Sequence, residues 1–277
     1  MVNVLYELKS YQRKGRYMKH LKSQKGFTLV ELAIVMTIIG LLIGGILKGQ
    51  ELMENARVTS TIAQIRSYEA AVTTFRDTYS AFPGDMRNAA TRLPGCAAAG
   101  TTCNASAGGD VLGDSLVGNP GGVNTNQATT TSETVLFWSH LLMANLISGV
   151  TSDAALDSGN AIIAFGETHP SSPTGGGFHA KHANGSTLAL SASGNQPSGL
   201  TIVLQNAVAA DLANTAGVQA LSPLRAAQID RKMDDGKAGT GSVIGYGAAT
   251  CSNGGPATDT YDESIDSDDC GLFFRLQ

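Results

Sequence analysis

The first feature along the chain is an apolar segment, FTLVELAIVMTIIGLLIGGIL, which covers residues 27–47 and contains one charge, Glu31. As an α-helix it would extend roughly 31 Å, which is enough to cross the hydrocarbon core of a membrane. An ordinary secretory signal has a shorter apolar core and is followed by its cleavage site. Here the small residue suited to cleavage, Gly26, precedes the segment. The pattern therefore predicts a membrane helix that stays on the mature chain.

The pattern then changes without a helix-breaking residue, since no proline occurs from residue 27 to residue 82. Residues 48–80 carry apolar side chains mostly three or four positions apart, with charged side chains between them, as expected of an amphipathic helix. Pro83-Gly84 predicts that the helix ends at about Tyr79. One helix is thus predicted to be apolar all round in its first half and along one stripe in its second.

Shorter elements follow the long helix. A second helix is predicted near Thr130, which could cap it with Glu133 three residues on, and a last short helix begins at Ser222-Pro223. The only Trp lies in the second helix and is expected in the core. Apolar or alternating runs predict strands at residues 161–166, 186–192, 200–205, 242–247 and 271–277.

These patterns predict four consecutive regions. A basic segment covers residues 1–26, a transmembrane helix covers 27–47, and an amphipathic continuation covers 48–80. Residues 81–277 form a globular domain, with a loop-rich insertion at about 95–130 that is dominated by Gly, Ala, Thr and Asn. The predicted fold class is α+β, with a mainly antiparallel sheet packed on the second half of the long helix.

Charge is distributed unevenly along the chain. Seven Lys or Arg residues and a single Glu precede residue 27, so the remainder holds 19 − 7 = 12 basic and 23 − 1 = 22 acidic residues, a net of −10. A basic segment before a membrane helix favours retention of that segment in the cytoplasm. The acidic body argues against a nucleic-acid-binding domain. The mean hydropathy of zero is an average over very uneven segments.

The segment KGFTLVELAIVMTIIGLL closely resembles the prepilin signal of type IV pilins and type II secretion pseudopilins. The resemblance is strongest over residues 25–50, and it implies the pilin fold. It also implies cleavage after Gly26 by a prepilin peptidase and N-methylation of the new terminal residue, Phe27, by an N-methyltransferase. Met18 opens a leader of the short type usual in this family, so the start could be Met1 or Met18. The segments after the first helix and at IDRKMDDGKAGTG also resemble pilin-like proteins.

Glu31 is the fifth residue of the mature chain and corresponds to the family's assembly glutamate. An unpaired carboxylate inside a membrane costs several kcal/mol, so its presence there indicates a function. Cleavage creates an α-amine at Phe27, and the amine of a neighbouring subunit could neutralise Glu31 during assembly. The alternative is a glutamate tolerated near the membrane surface, one turn from the helix end.

Four cysteines on an exported domain favour disulfides, and three connectivities are open. Their spacings match no zinc pattern. Pairing of neighbours would join Cys96 to Cys103 and Cys251 to Cys270, each closing a short loop at a gain of about 3 kcal/mol. The second pair would resemble the disulfide loop near the end of many pilins.

The last loop carries an acidic cluster whose oxygens could bind calcium, as some secretion pseudopilins do. The alternative is a solvated loop, and no EF-hand spacing is present. No cofactor is otherwise expected. The carboxylates considered as ligands are Asp262, Asp266, Asp268 and Asp269.

Signals for catalysis are weak, so the protein is not expected to be an enzyme. His179 and His182 in the sequence HAKH could present two ligands, but the triple glycine ahead of them predicts a loop. No serine lies in a nucleophile elbow, and no phosphate-binding loop occurs.

The predicted function is a structural subunit of a type IV pilus-like filament, anchored by a single pass in the inner membrane with its domain on the periplasmic or extracellular side. Its partners would be the peptidase, the membrane and other pilin subunits. The mature length, 277 − 26 = 251 residues, favours a minor or specialised pilin. The alternatives are a type II secretion pseudopilin and a pilus-tip adhesin or DNA-uptake subunit that uses the 95–130 loop.

Overall fold

A computed structural model describes residues 26–94, 96, 103, 112–118, 132–150, 163–184, 197–208, 217, 219–252 and 260–276. The chain divides into two compact units, Met1–Gln50 and Glu51–Gln277. The second unit holds a four-stranded antiparallel sheet and short helices. With the long N-terminal helix, this is the predicted α+β class, and it is consistent with the pilin fold.

Helix α1 runs from Leu29 to Tyr79 without interruption. Its large apolar residues from Leu29 to Met53 are all exposed. From Val58 to Phe75 one stripe is buried at a spacing of three or four residues, which places these side chains on one face of the helix. The helix ends where the sequence predicts, because Ser80 has a positive φ of 55° and Pro83 follows.

The sheet consists of β1 (Gly177–Asn184), β2 (Ser198–Gln205), β3 (Val243–Gly247) and β4 (Cys270–Arg275), in the spatial order β1-β2-β4-β3. All three pairings are antiparallel. Successive side chains point to opposite faces, so β2, β3 and β4 each contribute to two clusters. One face joins the α1 stripe in the main core, and the other holds a smaller cluster of Val203, Ile244, Tyr246 and Phe273.

The short helices cover parts of the main core. Helix α2 spans Ala89–Arg92, α3 spans Glu133–Met143, and α4 spans Pro223–Met233 with its proline in the first turn. Trp138 of α3 is fully buried, and its ring lies 5.0 Å from the ring of Tyr68 on α1. This edge-to-face contact fixes α3 against the buried stripe of α1.

The predicted strands at 200–205, 242–247 and 271–277 correspond to β2, β3 and β4. The predicted strand at 161–166 is wrong over its described part, where Phe165 makes only an isolated bridge to His169. The strand predicted at 186–192 and the cap at Thr130 lie outside the described residues, as does most of the 95–130 loop.

The loop predicted around HAKH is also wrong, because these residues form β1. Of the three glycines that indicated a loop, Gly175 and Gly176 lie in the turn that leads into the strand, and Gly177 is the first residue of the strand. Gly175 and Gly176 have positive φ angles of 119° and 62°, and residues with a side chain rarely adopt such backbone conformations. From Phe178 the side chains alternate between the two faces of the sheet, as in any strand.

Candidate processing and assembly site

The residues ahead of α1 are accessible. Gly26, Phe27 and Thr28 are not helical, and the Phe27 side chain is 84% exposed. A Cβ built on Gly26 would meet no atom of the described residues within 4 Å. The fold therefore does not require glycine at this position, and a requirement for a small residue there would have to come from a processing enzyme.

Thr28 and Glu31 form a reciprocal cap at the start of α1. The Thr28 N–H and the Thr28 hydroxyl both donate to Glu31 Oε2 at 2.8 Å, and the Glu31 N–H donates to Thr28 Oγ1 at 3.3 Å. The Thr28 carbonyl accepts the first helical hydrogen bond, from the Leu32 N–H. This is the capping box, in which threonine and the glutamate three residues on satisfy amides at the helix terminus. The spacing Thr-x-x-Glu at residues 28–31 is the sequence signal that predicts this cap.

The side chains that follow present an apolar surface on all sides. Leu29 is 83% exposed and Leu41 is 79% exposed, and the residues between them are also exposed. In the described part of the chain, α1 is the one helix long and apolar enough to cross a membrane. Such a surface needs either lipid or other apolar helices around it.

A family model of the prokaryotic N-terminal methylation motif matches residues 21–47. The chain carries this methylation motif. Together with the apolar helix and the α+β domain, the motif is consistent with a type IV pilin-like protein, a class of structural subunit rather than an enzyme family. The match covers the apolar segment and the few residues before it, and it does not extend into the domain. Neither a curated protein nor a solved structure matches the chain.

Both cysteine pairs considered in the sequence are disulfides here. Cys96 and Cys103 have Cα atoms 5.8 Å apart, and Cys251 and Cys270 have Cα atoms 5.2 Å apart. All four are buried. The second pair closes the connection between β3 and the first residue of β4, and so ties the last strand to its neighbour in the sheet.

The four acidic residues considered as calcium ligands do not behave as one group. Asp269 is buried, and its carboxylate accepts hydrogen bonds from Gly217, Thr250 and Ser267. Burial would raise the pKa of Asp269, but these hydrogen bonds outweigh it and lower the pKa. Asp262 accepts two hydrogen bonds from Ser264, and the other two carboxylates are exposed. Calcium binding stays a prediction from the acidic sequence.

Three other carboxylates, which follow or end α4, lie closer together. Within the described ranges, the oxygens of Asp230, Asp234 and Asp235 lie within 4.8 Å of one another. Asp230 accepts a hydrogen bond from the Gly236 N–H at 3.2 Å, Asp234 accepts one from the Ser242 N–H, and Asp235 accepts one from the Thr240 hydroxyl. Burial raises the pKa of Asp230 to about 7. These contacts explain the cluster as the support of a turn.

The histidines of HAKH lie on opposite faces of β1 and do not form a ligand pair. His179 is fully buried, with its ring 5.3 Å from that of His169. His182 lies on the α1 side, where its Nδ1 accepts a hydrogen bond from the Val117 N–H at 3.0 Å. Its ring contacts the Phe82 ring edge-on. The two histidines therefore have separate structural environments.

Proposed function

We propose that this chain is a subunit of a type IV pilus-like filament, of the minor or specialised kind, made as an inner-membrane precursor. The observation that carries the proposal is the methylation motif at residues 21–47, set on a helix whose apolar surface has no partner within the described chain. The basic leader would remain in the cytoplasm, with the domain on the periplasmic side. A prepilin peptidase would cleave between Gly26 and Phe27, and the new terminal amine would be N-methylated.

Assembly would then transfer the apolar part of α1 from lipid to a bundle of identical or related helices. Lipid and neighbouring helices are equally apolar, so close packing and polar contacts drive such association more than water exclusion does. Glu31 is the charged residue in this surface, and it requires a partner once its surroundings exclude water. The terminal amine of a neighbouring subunit at Phe27 would provide one.

The capping box adds a second role for the same side chain. In the free chain the two hydrogen bonds from Thr28 go to Oε2. The proposal assigns this interaction to the free subunit and the ion pair to the filament. Glutamine can replace glutamate in a capping box but cannot neutralise an ammonium. Two substitutions at this position therefore separate the two roles.

The experiment compares Glu31→Gln and Glu31→Ala with wild type in cells that assemble the filament, by quantifying sheared-filament and membrane fractions. Membrane insertion should survive in both, because removal of a charge favours insertion. Filament incorporation should fall sharply in both, because an ammonium would be buried without its counter-ion, at a cost of about 3–5 kcal/mol. Glu69→Gln is the matched control, since it removes a carboxylate from the same helix outside the apolar segment.

Normal incorporation of Glu31→Gln together with failure of Glu31→Ala would show that the side chain acts only as a helix cap. Normal incorporation of both variants would show that Glu31 is a tolerated polar residue. Either result would refute the proposed ion pair.

A further inference from the structure

A cavity of about 600 Å³ lies at the C-terminal end of α1, within the second unit. It is bordered by the last turns of α1, the segment that leads into α2, and the short stretch around residues 113–115. Its lining is polar and includes three arginines, Arg76, Arg87 and Arg92, which define what we call the arginine cavity. Its volume lies within the range of ligand sites for small molecules.

Each guanidinium of the arginine cavity makes one contact with the domain. Arg76 lies over the Phe82 ring with its Cζ 4.5 Å from the centroid, and Arg92 lies over the Tyr79 ring at 5.7 Å. Arg87 donates its Nε–H to the Leu112 carbonyl at 2.7 Å. Because these contacts already restrict the side chains, the arginines lose less conformational entropy when a ligand binds. Each guanidinium also keeps further N–H donors for that ligand.

The Arg87 side chain also depends on the glycine beneath it. Gly113 has a φ of 77°, and a Cβ at this position would collide with the Arg87 side chain. The glycine thus allows the arginine to cross close to the backbone and reach the cavity. This local arrangement is specific to the lining and serves no part of the assembly helix.

The charges of the lining leave a cationic excess. Two acidic residues, Asp77 and Asp85, accompany the three arginines, so the lining carries a net charge of +1. The Asp85 carboxylate accepts hydrogen bonds from three backbone N–H groups at residues 113–115, so its oxygens are already bound to the domain itself. Among the ion pairs of the described residues, none involves an arginine of the cavity.

The remaining polar groups of the lining suit a hydroxylated ligand. Hydroxyls and an amide with both donor and acceptor capacity border the cavity, at Thr73, Ser80, Asn88 and Ser115. A guanidinium binds a carboxylate through two parallel hydrogen bonds. A cavity of about 600 Å³ holds a single sugar residue but is too small to enclose a duplex.

We propose that the arginine cavity binds a carboxylated sugar residue, with the arginines around its carboxylate and the hydroxyl and amide side chains around its hydroxyls. This goes beyond the filament role, because it gives the domain a ligand of its own. A net lining charge of +1 matches a singly charged carboxylate better than a phosphate dianion. The occupant would be one acidic residue of a surface or extracellular polysaccharide.

The test uses the full-length protein in detergent micelles and calorimetric titration with sodium D-glucuronate. D-Glucose is the uncharged control of the same ring size, glucose 6-phosphate tests a phosphorylated sugar, and a short DNA duplex tests nucleic acid. We expect saturable binding of glucuronate with a Kd of about 1 mM or tighter, and glucose binding at least about tenfold weaker.

Two variants locate the site. The double substitution Arg76→Gln and Arg92→Gln should weaken glucuronate binding about tenfold or more, because charge-assisted hydrogen bonds are lost. Both side chains are exposed, so the domain should keep its fold, which the fluorescence of buried Trp138 would report. Arg66→Gln removes an exposed arginine from the same helix outside the cavity and should bind as wild type does.

Absence of saturable glucuronate binding to wild type would overturn the proposal. Equal affinity in the double variant would also overturn it, by locating the sugar elsewhere. Preference for glucose 6-phosphate would assign the cavity to a phosphoryl group instead. Duplex binding that glucuronate does not displace and that the double variant lacks would assign it to nucleic acid.

Discussion

His140 joins three parts of the domain, and this predicts a defined dependence of stability on pH. Its ring is fully buried in α3 and stacks on Phe75 of α1 at an interplanar angle of 12°. Nδ1 accepts a hydrogen bond from the Gly84 N–H at 2.9 Å, and Nε2 lies 3.1 Å from the Cys103 carbonyl. Because Nδ1 accepts, the single proton of the neutral ring is on Nε2, which donates to the carbonyl.

Protonation of the folded protein would add a hydrogen to Nδ1 where the Gly84 N–H already points. Burial lowers the pKa of His140 to about 4, and the hydrogen bond to Cys103 offsets this only in part. The unfolded chain titrates near the ordinary pKa of 6.5. The stabilisation is therefore complete above about pH 6.5 and is lost as the pH falls towards 4, where the folded ring also protonates.

The interval between these two pKa values sets the size of the effect. At about 1.4 kcal/mol for each pH unit, His140 alone should remove about 3 kcal/mol of unfolding free energy between pH 6.5 and pH 4. This is a large share of the stability of a typical domain. Other histidines contribute too, since burial lowers the pKa of His169 to about 3.

The assay isolates His140 by comparing wild type with His140→Gln at each pH. Urea unfolding of the full-length protein in micelles is followed by the fluorescence of Trp138, the only Trp and a residue of the same helix. Glutamine offers a donor and an acceptor but does not titrate. The variant should have a lower unfolding free energy than wild type at pH 7, and this difference should shrink by about 3 kcal/mol by pH 4. The other histidines titrate equally in both proteins, so their contributions cancel in the difference.

A deficit that stays constant between pH 7 and pH 4 would refute the reasoning. A second measurement does not depend on the variant, because nuclear magnetic resonance can follow the His140 ring of labelled wild-type protein directly. The ring should stay neutral with its proton on Nε2 at pH 5. A ring that protonates near pH 6.5 in the folded protein would also contradict the prediction.

Three further predictions concern processing and the last strand. A Cβ at Gly26 would meet no described atom within 4 Å, so Gly26→Val should fold normally yet accumulate as uncleaved precursor by intact-mass analysis. Mature wild type should instead begin at N-methylated Phe27, and mature-length Gly26→Val protein in filaments would contradict this. Non-reducing peptide mapping should join Cys251 to Cys270, and free thiols at both in exported protein would refute the pairing. Asp269→Asn should lower the unfolding free energy by about 1–3 kcal/mol in denaturant titrations, since its hydrogen-bond donors lose acceptors, and an unchanged midpoint would argue against their importance.

The long helix was predictable because its signal is redundant. Absence of proline, a long apolar segment with one charge and a buried stripe from Val58 to Phe75 all indicate the same element. Strands β2 and β4 were predictable for a related reason, since their runs of β-branched and aromatic residues favour a buried strand. In each element many residues favour the same secondary structure, so the prediction does not depend on any single side chain.

Strand β1 was missed because its sequence contradicts its environment. His179 and Lys181 are both buried, although histidine and lysine on alternate positions usually indicate an exposed face. Burial lowers the pKa of Lys181 to about 8, so its surroundings oppose the charge. The segment is extended because it pairs with β2 along its whole length, from Gly177 opposite Gln205 to Asn184 opposite Ser198. A local pattern contains no information about that partner.

The arginine cavity was unpredictable for another reason. Arg76, Arg87 and Arg92 come from α1, the connecting segment and α2, and no sequence spacing relates them. Their convergence depends on the sharp end of α1 at Ser80 and on Gly113 passing beneath Arg87. Turn conformations that set such a convergence are weakly encoded compared with helix periodicity.

Four glycines lie in the exposed first part of α1, and packing against other helices would explain their presence. A Cβ at Gly40, Gly44, Gly45 or Gly49 would meet nothing within 4 Å, so no contact in the described chain requires glycine there. Each glycine costs a helix about 1 kcal/mol relative to alanine. A helix that served only as an anchor would be more stable with alanine at all four. Small residues in an apolar helix allow close approach of neighbouring helices, so this cost is understandable when the partner of the surface is other subunits.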